Sequence, residues 1–518
     1  MSMKDACLEI IENIKKGKIE TQQQLENEKI VVAKKFLLNK VPKNAEIFAF
    51  VDNNDSDYEK IKKFLQIKPI RTLSGVANIA VMWLGKNKNG IPFSCPGKCI
   101  YCPRGKNAPQ SYTGTEPTTM RAMRNLFDPY NQVKNRLNQL HIIGHPTDKC
   151  ELIIMGGTFP AISFSEQKSF IKNCFDALNG RKSKSLKDAQ KINEKSKNRC
   201  VGLTIETRPD YCNKKIINQM LELGATRVEI GVQTLDEKLL KKIKRGHTTK
   251  DVKKAIKLAK DAGLKVCIHL MPGLTGLNKL DIKKELYNFK EIFRNEDYRP
   301  DELKIYPTLV VPGTKIHELW LDGKYKPLTI KQTIDLLIKI KKIVPEYVRI
   351  KRVMRDISSH EVVAGPAITN LRQLVIEKMK NQGLKCRCIR CREIRSNKIK
   401  NPKLKIIEYK ASRAKEFFLS YEDDDHLIGF LRLRLLKNKA LVRELHVYGP
   451  MIEIGKKGDV QHSGFGKLLL NEAEKIAINN KCNIIQITSG TGVRDYYSSK
   501  MEYKLVGYYM IKKLYTKN

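Results

Sequence analysis

No apolar run in these 518 residues reaches the length of a membrane-spanning helix, so the reading excludes a membrane-embedded protein. The first residues, MSMKDACLEIIENIKKGK, carry charges inside their apolar stretch and read as an amphipathic helix, which argues against a cleaved signal sequence. A cytoplasmic protein is expected. The 13 cysteines are odd in number and come without a secretion signal, so clustered ones read as metal ligands rather than as a disulfide framework. Acidic residues are also scarce: 55 Asp+Glu stand against 98 Lys+Arg, a net charge of +43. Such a field draws in a polyanion, with nucleic acid the natural partner. A lysine-biased genome or a solvated lysine coat would give the same sum, so charge alone does not choose.

What is present suits a multidomain α/β protein. Hydrophobic residues make up 41% of the chain, enough for packed cores, and the length implies about three folding units. Residues 1–70 look helical and basic, with Lys15-Lys16-Gly17-Lys18, Lys34-Lys35 and a turn-like Asp52-Asn53-Asn54-Asp55; they fit an RNA-facing module or a packing cap. From 71 to 345, short apolar runs alternate with helical segments. Six candidate strands (76–83, 152–155, 201–205, 227–230, 266–270 and 303–306) and helices at 165–178, 213–223, 250–262 and 280–294 predict a partial (β/α)6 barrel of the TIM type. The lysine-rich stretch 182–199 reads as an exposed insertion. Residues 346–400 read as a basic linker with a second cysteine cluster. A mixed α/β domain of strands and one clear helix occupies 401–518.

Function in such barrels collects after the carboxyl ends of the strands. There the segment CPGKCIYC places Cys95, Cys99 and Cys102 in one Gly- and Pro-containing loop. Three thiolates leave one iron of a 4Fe-4S cluster open to S-adenosylmethionine (SAM). Zinc with a distant fourth ligand, or packed thiols, are the competing readings. Gly156 and Gly157 let backbone approach the methionine amino group or simply make a tight turn. Glu206 and Arg208 are candidates for the SAM ribose or carboxylate, or for a surface ion pair.

Near the end, Gln461-His462-Ser463-Gly464-Phe465-Gly466-Lys467 opens a helix after the strand-like ALVRELHVY, and it presents backbone N–H groups to a pyrophosphate. The pattern matches the coenzyme A loop of GNAT-type acetyltransferases, although a tight turn into a helix gives the same residues. Tyr497 follows where an acyl-CoA thiolate would want a hydroxyl, and a core tyrosine is the ordinary alternative.

With CPGKCIYC, SYTGTEPTTMRA (111–122), MGGTF, TIETRPDYC, EIGVQT, RGHT, RELHVYG and QHSGFG in one order, the chain from about residue 70 onward resembles the catalytic subunits of Elongator. The resemblance implies an enzyme that builds a carboxymethyl group on C5 of the tRNA wobble uridine from SAM and acetyl-CoA. A deoxyadenosyl radical would take hydrogen from the acetyl methyl group, the carbon radical would add to the base, and thioester hydrolysis would follow. It implies a splayed anticodon stem-loop as partner, and an electron donor; a homodimer is the candidate assembly. By position, Cys95, Cys99 and Cys102 look like cluster ligands. Lys149 looks like the lysine reaching acetyl-CoA from the barrel, and Glu444, Leu445, His446, Val447, Gly464, Phe465, Gly466, Lys467, Leu468 and Tyr497 look like the coenzyme-binding and catalytic segments. Many relatives have a longer gap between the first two cysteines. Cys386, Cys388 and Cys391 look like a structural zinc site whose fourth ligand is not evident, with His360 one candidate. A protein lysine acetyltransferase with a structural cluster is the alternative function.

Overall fold

The computed structural model describes residues 2–52, 55–67, 72, 74–86, 92–93, 95–395, 397–449 and 463–514. Gln461 and His462 of the glycine loop, and Asn53 and Asn54 of the turn-like run, lie outside them. No helix among the described residues is long and apolar enough to cross a membrane.

Four helices, Met3–Lys15, Gln22–Lys35, Asn44–Phe48 and Tyr58–Leu65, form the amino-terminal unit. Ser2 and Thr21 cap the first two with reciprocal side-chain and backbone bonds to Asp5 and Gln24. Their apolar faces meet in a separate core around Ile10, Ile14, Leu25, Val32 and Ile61.

The central unit is a seven-stranded sheet, parallel throughout. In chain order its strands are β1 (Ala77–Met82), β2 (Lys149–Met155), β3 (Arg199–Thr207), β4 (Arg227–Gln233), β5 (Lys265–Leu270), β6 (Glu302–Ile305) and β7 (Arg349–Val353). All six expected strands are present, with connecting helices at Phe164–Asn179, Lys214–Glu222, Thr249–Asp261 and Ile282–Arg294. The seventh strand lies within the stretch read as a linker. Its sequence, RIKRV, hides its strand character because the basic residues face acids: Arg349 meets Glu393 at 2.6 Å and Lys351 meets Glu229 at 3.1 Å.

On the outer face Ile79, Val81, Leu152, Ile154, Leu203, Ile205, Val228 and Ile268 are fully buried under the helices. The concave face is charged, where a closed barrel would carry layers of branched aliphatics. It presents Glu151, Glu206, Arg227, Glu229, Glu302, Lys304 and Lys351, joined in a continuous ion-pair network.

The stretch 182–199, expected as an exposed insertion, is in part the packed helix Leu186–Asn193. Its lysines point to solvent, but Leu186, Ala189 and Asn193 are buried. Asn193 donates to Asn179 Oδ1 (2.8 Å) and Asn198 O (3.0 Å) and accepts from Cys200 N (2.7 Å). Lysine density obscured that apolar face.

The carboxyl-terminal unit is a second seven-stranded sheet: β8 (Lys403–Ala411), β9 (Ala414–Asp423), β10 (His426–Leu436), β11 (Lys439–Val447), β12 (Ile484–Ile487), β13 (Lys504–Val506) and β14 (Tyr509–Lys513). Its order is β8-β9-β10-β11-β12-β14-β13, and β11 and β12 are parallel through the crossover helix Phe465–Asn479. This sheet docks beneath the amino ends of the barrel strands. Arg443 of β11 pairs with Asp301, Lys265 at the start of β5 with Glu444, and Tyr448 lies under Arg349 at the start of β7.

Candidate active site

Two sites emerge, one at each end of the half-barrel strands. At the carboxyl ends, a cavity of about 150 Å³ is lined by Cys95, Cys99 and Cys102 together with Gly157, Glu206 and Arg208. The cysteine loop is pinned by its surroundings. Cys95 Sγ lies 3.0 Å from Thr158 Oγ1, the Gly97 N–H donates to the same sulfur, and Arg245 Nη1 lies 3.6 Å from Cys99 Sγ. Arg245 is itself fixed by two bonds to Gly231 O. Burial, and then the charge of Cys99, pushes the Cys102 thiol up to about 11, so a cation would be needed to draw it into its thiolate form.

Four sulfurs at about 2.3 Å from one zinc stand roughly 3.8 Å apart. Among the described residues, two groups of side chains bring all their ligand atoms within 4.8 Å of one another: Cys386, Cys388 and Cys391, and Glu229, Cys267 and His269. Cys95, Cys99 and Cys102 do not all lie within that distance of one another yet share one cavity, which fits ligands spread over a multinuclear cluster.

Gly157 lines the cavity at φ +93°, whereas Gly156 answers a different need. A Cβ on Gly156 would stand 2.2 Å from Trp83 O, so the loop after β2 requires glycine to pass the end of β1. Arg208 is buried and bonded to both oxygens of Asp210 at 3.0 and 2.9 Å; a Cβ on Gly97 would lie 2.6 Å from its Nη1. Glu206 pairs with Lys304 at 3.2 Å. Below them Glu229 accepts from His269 at 3.0 Å and contacts Lys304 and Lys351. Burial alone would raise its carboxyl, but the two lysines hold it well below the carboxylate range. This occupied carboxylate makes the Glu229, Cys267 and His269 group an ion-pair node.

At the amino ends, Lys149 opens β2, and burial lowers its ammonium pKa. Pairing of β11 with β12 covers Lys439–Val442, whereas pairing with β10 continues to Val447, so the sheet parts along Arg443–Val447. Gly464 (φ +94°) starts the helix whose Gly466 faces Leu445 and Val447 across this parting; Phe465 packs on Tyr421, and Lys467 and Leu468 are exposed on its first turn. A parted strand edge beside a helix start can take the amides and pyrophosphate of a coenzyme A arm.

Glu444 is tied to Arg432 at 2.9 Å and Lys265 at 3.4 Å. His446 meets Ser74 O at 2.9 Å, and burial lowers its pKa to about 4, leaving it neutral. Tyr497 is buried in the core of this unit, stacked edge-on against Tyr496 and Tyr503, and burial raises its hydroxyl pKa. Among the described residues, none lining the cysteine cavity comes from the carboxyl-terminal unit.

Cys386, Cys388 and Cys391 converge as a third site. Lys341 Nζ lies 3.4 Å from Cys386 Sγ and 3.6 Å from Cys391 Sγ, and Arg372 Nη2 lies 3.5 Å from Cys391 Sγ. His360 is exposed on the turn Ser359–Glu361, outside this group.

Thr158 was noted from the sequence only as the residue closing Gly156-Gly157-Thr158 after a strand, and Arg245 and the Glu229–Lys304 pair were not singled out. Thr158 directly follows Gly157 and Arg245 opens RGHT, so both sat inside strings already noticed.

A cysteine-bearing parallel half-barrel docked on a parted acetyltransferase-type sheet defines a two-domain class that combines radical and acyl chemistry. Family models agree: ELP3 N-terminal domain over 3–73, Radical SAM superfamily over 91–286, Radical_SAM C-terminal domain over 300–381 and Acetyltransferase (GNAT) family over 373–503. The chain is 46% identical to a protein named tRNA uridine(34) acetyltransferase from Methanocaldococcus infernus, covering 91% of this chain and 92% of that protein. It is 41% identical to Elongator complex protein 3 of Schizosaccharomyces pombe, over 98% and 97% of the two. The solved structure of the M. infernus Elp3 lacking its amino terminus matches with a TM-score of 0.73 at 45% identity, covering 85% of this chain and 100% of that one. The chain belongs to the Elongator complex protein 3, or tRNA uridine(34) acetyltransferase, family.

Proposed function

We propose that this protein modifies the wobble uridine of tRNA, joining a carboxymethyl group derived from acetyl-CoA to C5 of the base. Support comes from the relatives' names and from one observation above all: three loop cysteines share a cavity at one end of the strands, and a coenzyme-type parting stands at the other end of the same strands.

In this reading Cys95, Cys99 and Cys102 hold a 4Fe-4S cluster, and Gly157, Glu206 and Arg208 orient SAM beside it. Together these groups, when bound, supply one-electron chemistry able to activate a methyl C–H bond. Arg245 and Thr158 fix the sulfurs and offset their charge. Glu229, held as a carboxylate by Lys304 and Lys351, keeps the cavity floor charged. Lys149, Glu444–Val447 and Gly464–Leu468 hold acetyl-CoA, and the Tyr497 hydroxyl is the proton donor to the departing thiolate. The amino-terminal helices and the overall positive field receive the anticodon stem-loop. Cys386, Cys388 and Cys391 bind zinc, and Lys341 and Arg372 neutralise the thiolates.

A lysine acetyltransferase would need neither the cavity nor the cysteines. The Cys99→Ser protein, reconstituted anaerobically, is therefore the test: it should bind acetyl-CoA and lose tRNA modification. Full modification by this variant would overturn the reading.

A further inference from the structure

The two sites lie at opposite ends of the same strands. β2 runs from Lys149 at the acetyl-CoA end to Met155, which lines the cysteine cavity. Six residue steps of strand span about 20 Å. The acetyl carbon and the cluster-side chemistry must come within contact distance, so one reactant has to cross the half-barrel. This inference rests on the proposed function.

The concave face carries the marks of a passage. Asn78 on β1 is exposed, and Ala80, Lys149, Glu151 and Ile153 on the same face are half-buried. Their outward neighbours Ile79, Val81, Cys150, Leu152 and Ile154 are fully buried. Solvent therefore reaches one side of the lumen along its length.

Several ion pairs cross the concave face, and among the described residues the one that joins β7 to β2 is the outermost in sheet order. β2 and β7 are not neighbours in the sheet, yet Lys351 Nζ of β7 stands 3.7 Å from Glu151 Oε1 of β2. Each partner is held more closely elsewhere, Lys351 by Glu229 at 3.1 Å and Glu151 by Thr204 at 3.0 Å and by Arg227. Parting Lys351 from Glu151 leaves both charges paired, so the link opens without stranding a buried ion.

We infer that the concave face between β1, β2 and β7 is the route by which the thioester-bearing arm reaches the cysteine cavity, with the Glu151–Lys351 contact as its gate. A coenzyme A arm carries amides, which are costly to bury without a hydrogen-bond partner. Glu151 and Lys351, neither fully buried, supply those partners, which a lumen of branched aliphatics would not.

An acyl-CoA carrying a diazirine at its acyl end, irradiated with the cluster-free protein and tRNA, should label residues 78–82 and 151–155, beyond Lys149 at the coenzyme end of the strand. Ala80→Trp should abolish that labelling. In the reconstituted enzyme it should lower transfer of labelled acyl carbon to tRNA at least tenfold, while SAM cleavage and acetyl-CoA hydrolysis stay within twofold. If Ala80→Trp perturbs folding, Asn78→Trp at the exposed position carries the same expectations. Adducts confined to Lys149 and residues 403–514, with label transfer unchanged in a folded tryptophan variant, would overturn the route. Absence of label transfer in the wild type would overturn the proposed function instead, and the adduct map would still decide the route.

Discussion

Arg443 closes a two-pronged ion pair on Asp301, Nη1 to Oδ2 and Nη2 to Oδ1 both at 2.6 Å, with each side chain wholly buried between the half-barrel and the second sheet. Arg443 also reaches Glu416 at 2.8 Å, and Lys260, Arg432 and Arg434 complete the cluster. The two units are thus joined by charge as well as by apolar contact. Arg443→Met should cost about 3–5 kcal/mol, because it leaves two buried carboxylates short of a partner. Chemical denaturation of the variant against the wild type measures it.

The same cluster sets an acid limit. Against burial, Arg443, Lys260 and Arg434 hold Glu416 at about 2, and Lys265, Arg432 and Arg227 hold Glu444 at about 2. A carboxylate depressed in the folded state adds stability that is complete above its unfolded pKa, and that is lost as pH falls through the folded value. The melting temperature should therefore drop as pH falls from about 4.5 towards 2. Glu444→Gln should start lower and fall less steeply over that window.

At Gly156 the backbone is at φ +119°, and a Cβ would stand 2.2 Å from Trp83 O. Gly156→Ala should destabilise by more than about 1 kcal/mol. It should also weaken iron retention by shifting Gly157 and Thr158 against Cys95, which iron content after reconstitution would show.

For the second cysteine group, the wild type should hold one zinc per chain, and Cys388→Ser should lose it together with thermal stability. The structure motivates this through the three converged sulfurs and the thiol of Cys388, which hydrogen bonds from Cys386 and Cys391 hold well below its usual value. Elemental analysis distinguishes the outcomes.

Much of this was legible from local pattern. Six strands of the half-barrel announce themselves as apolar runs because their outer faces are packed under helices, and CPGKCIYC is visible because its ligands are adjacent in sequence. β7 was not legible, since Arg349 and Lys351 satisfy carboxylates donated by Glu393 and Glu229 from distant segments. The helix Leu186–Asn193 was hidden by its own lysines. The concave ion-pair network is invisible in sequence for the same reason: Glu151, Glu229, Glu302 and Lys351 come from four separate strands and meet only when the sheet curves.

The most direct test of the account follows carbon from acetyl-CoA into the anticodon. Reconstituted protein, SAM, a reductant, tRNA and acetyl-CoA labelled in its methyl carbon should yield, on nucleoside mass analysis, a carboxymethylated uridine carrying the label at the wobble position. Label recovered only as free acetate or on protein lysines, with the wobble uridine unchanged, would contradict it.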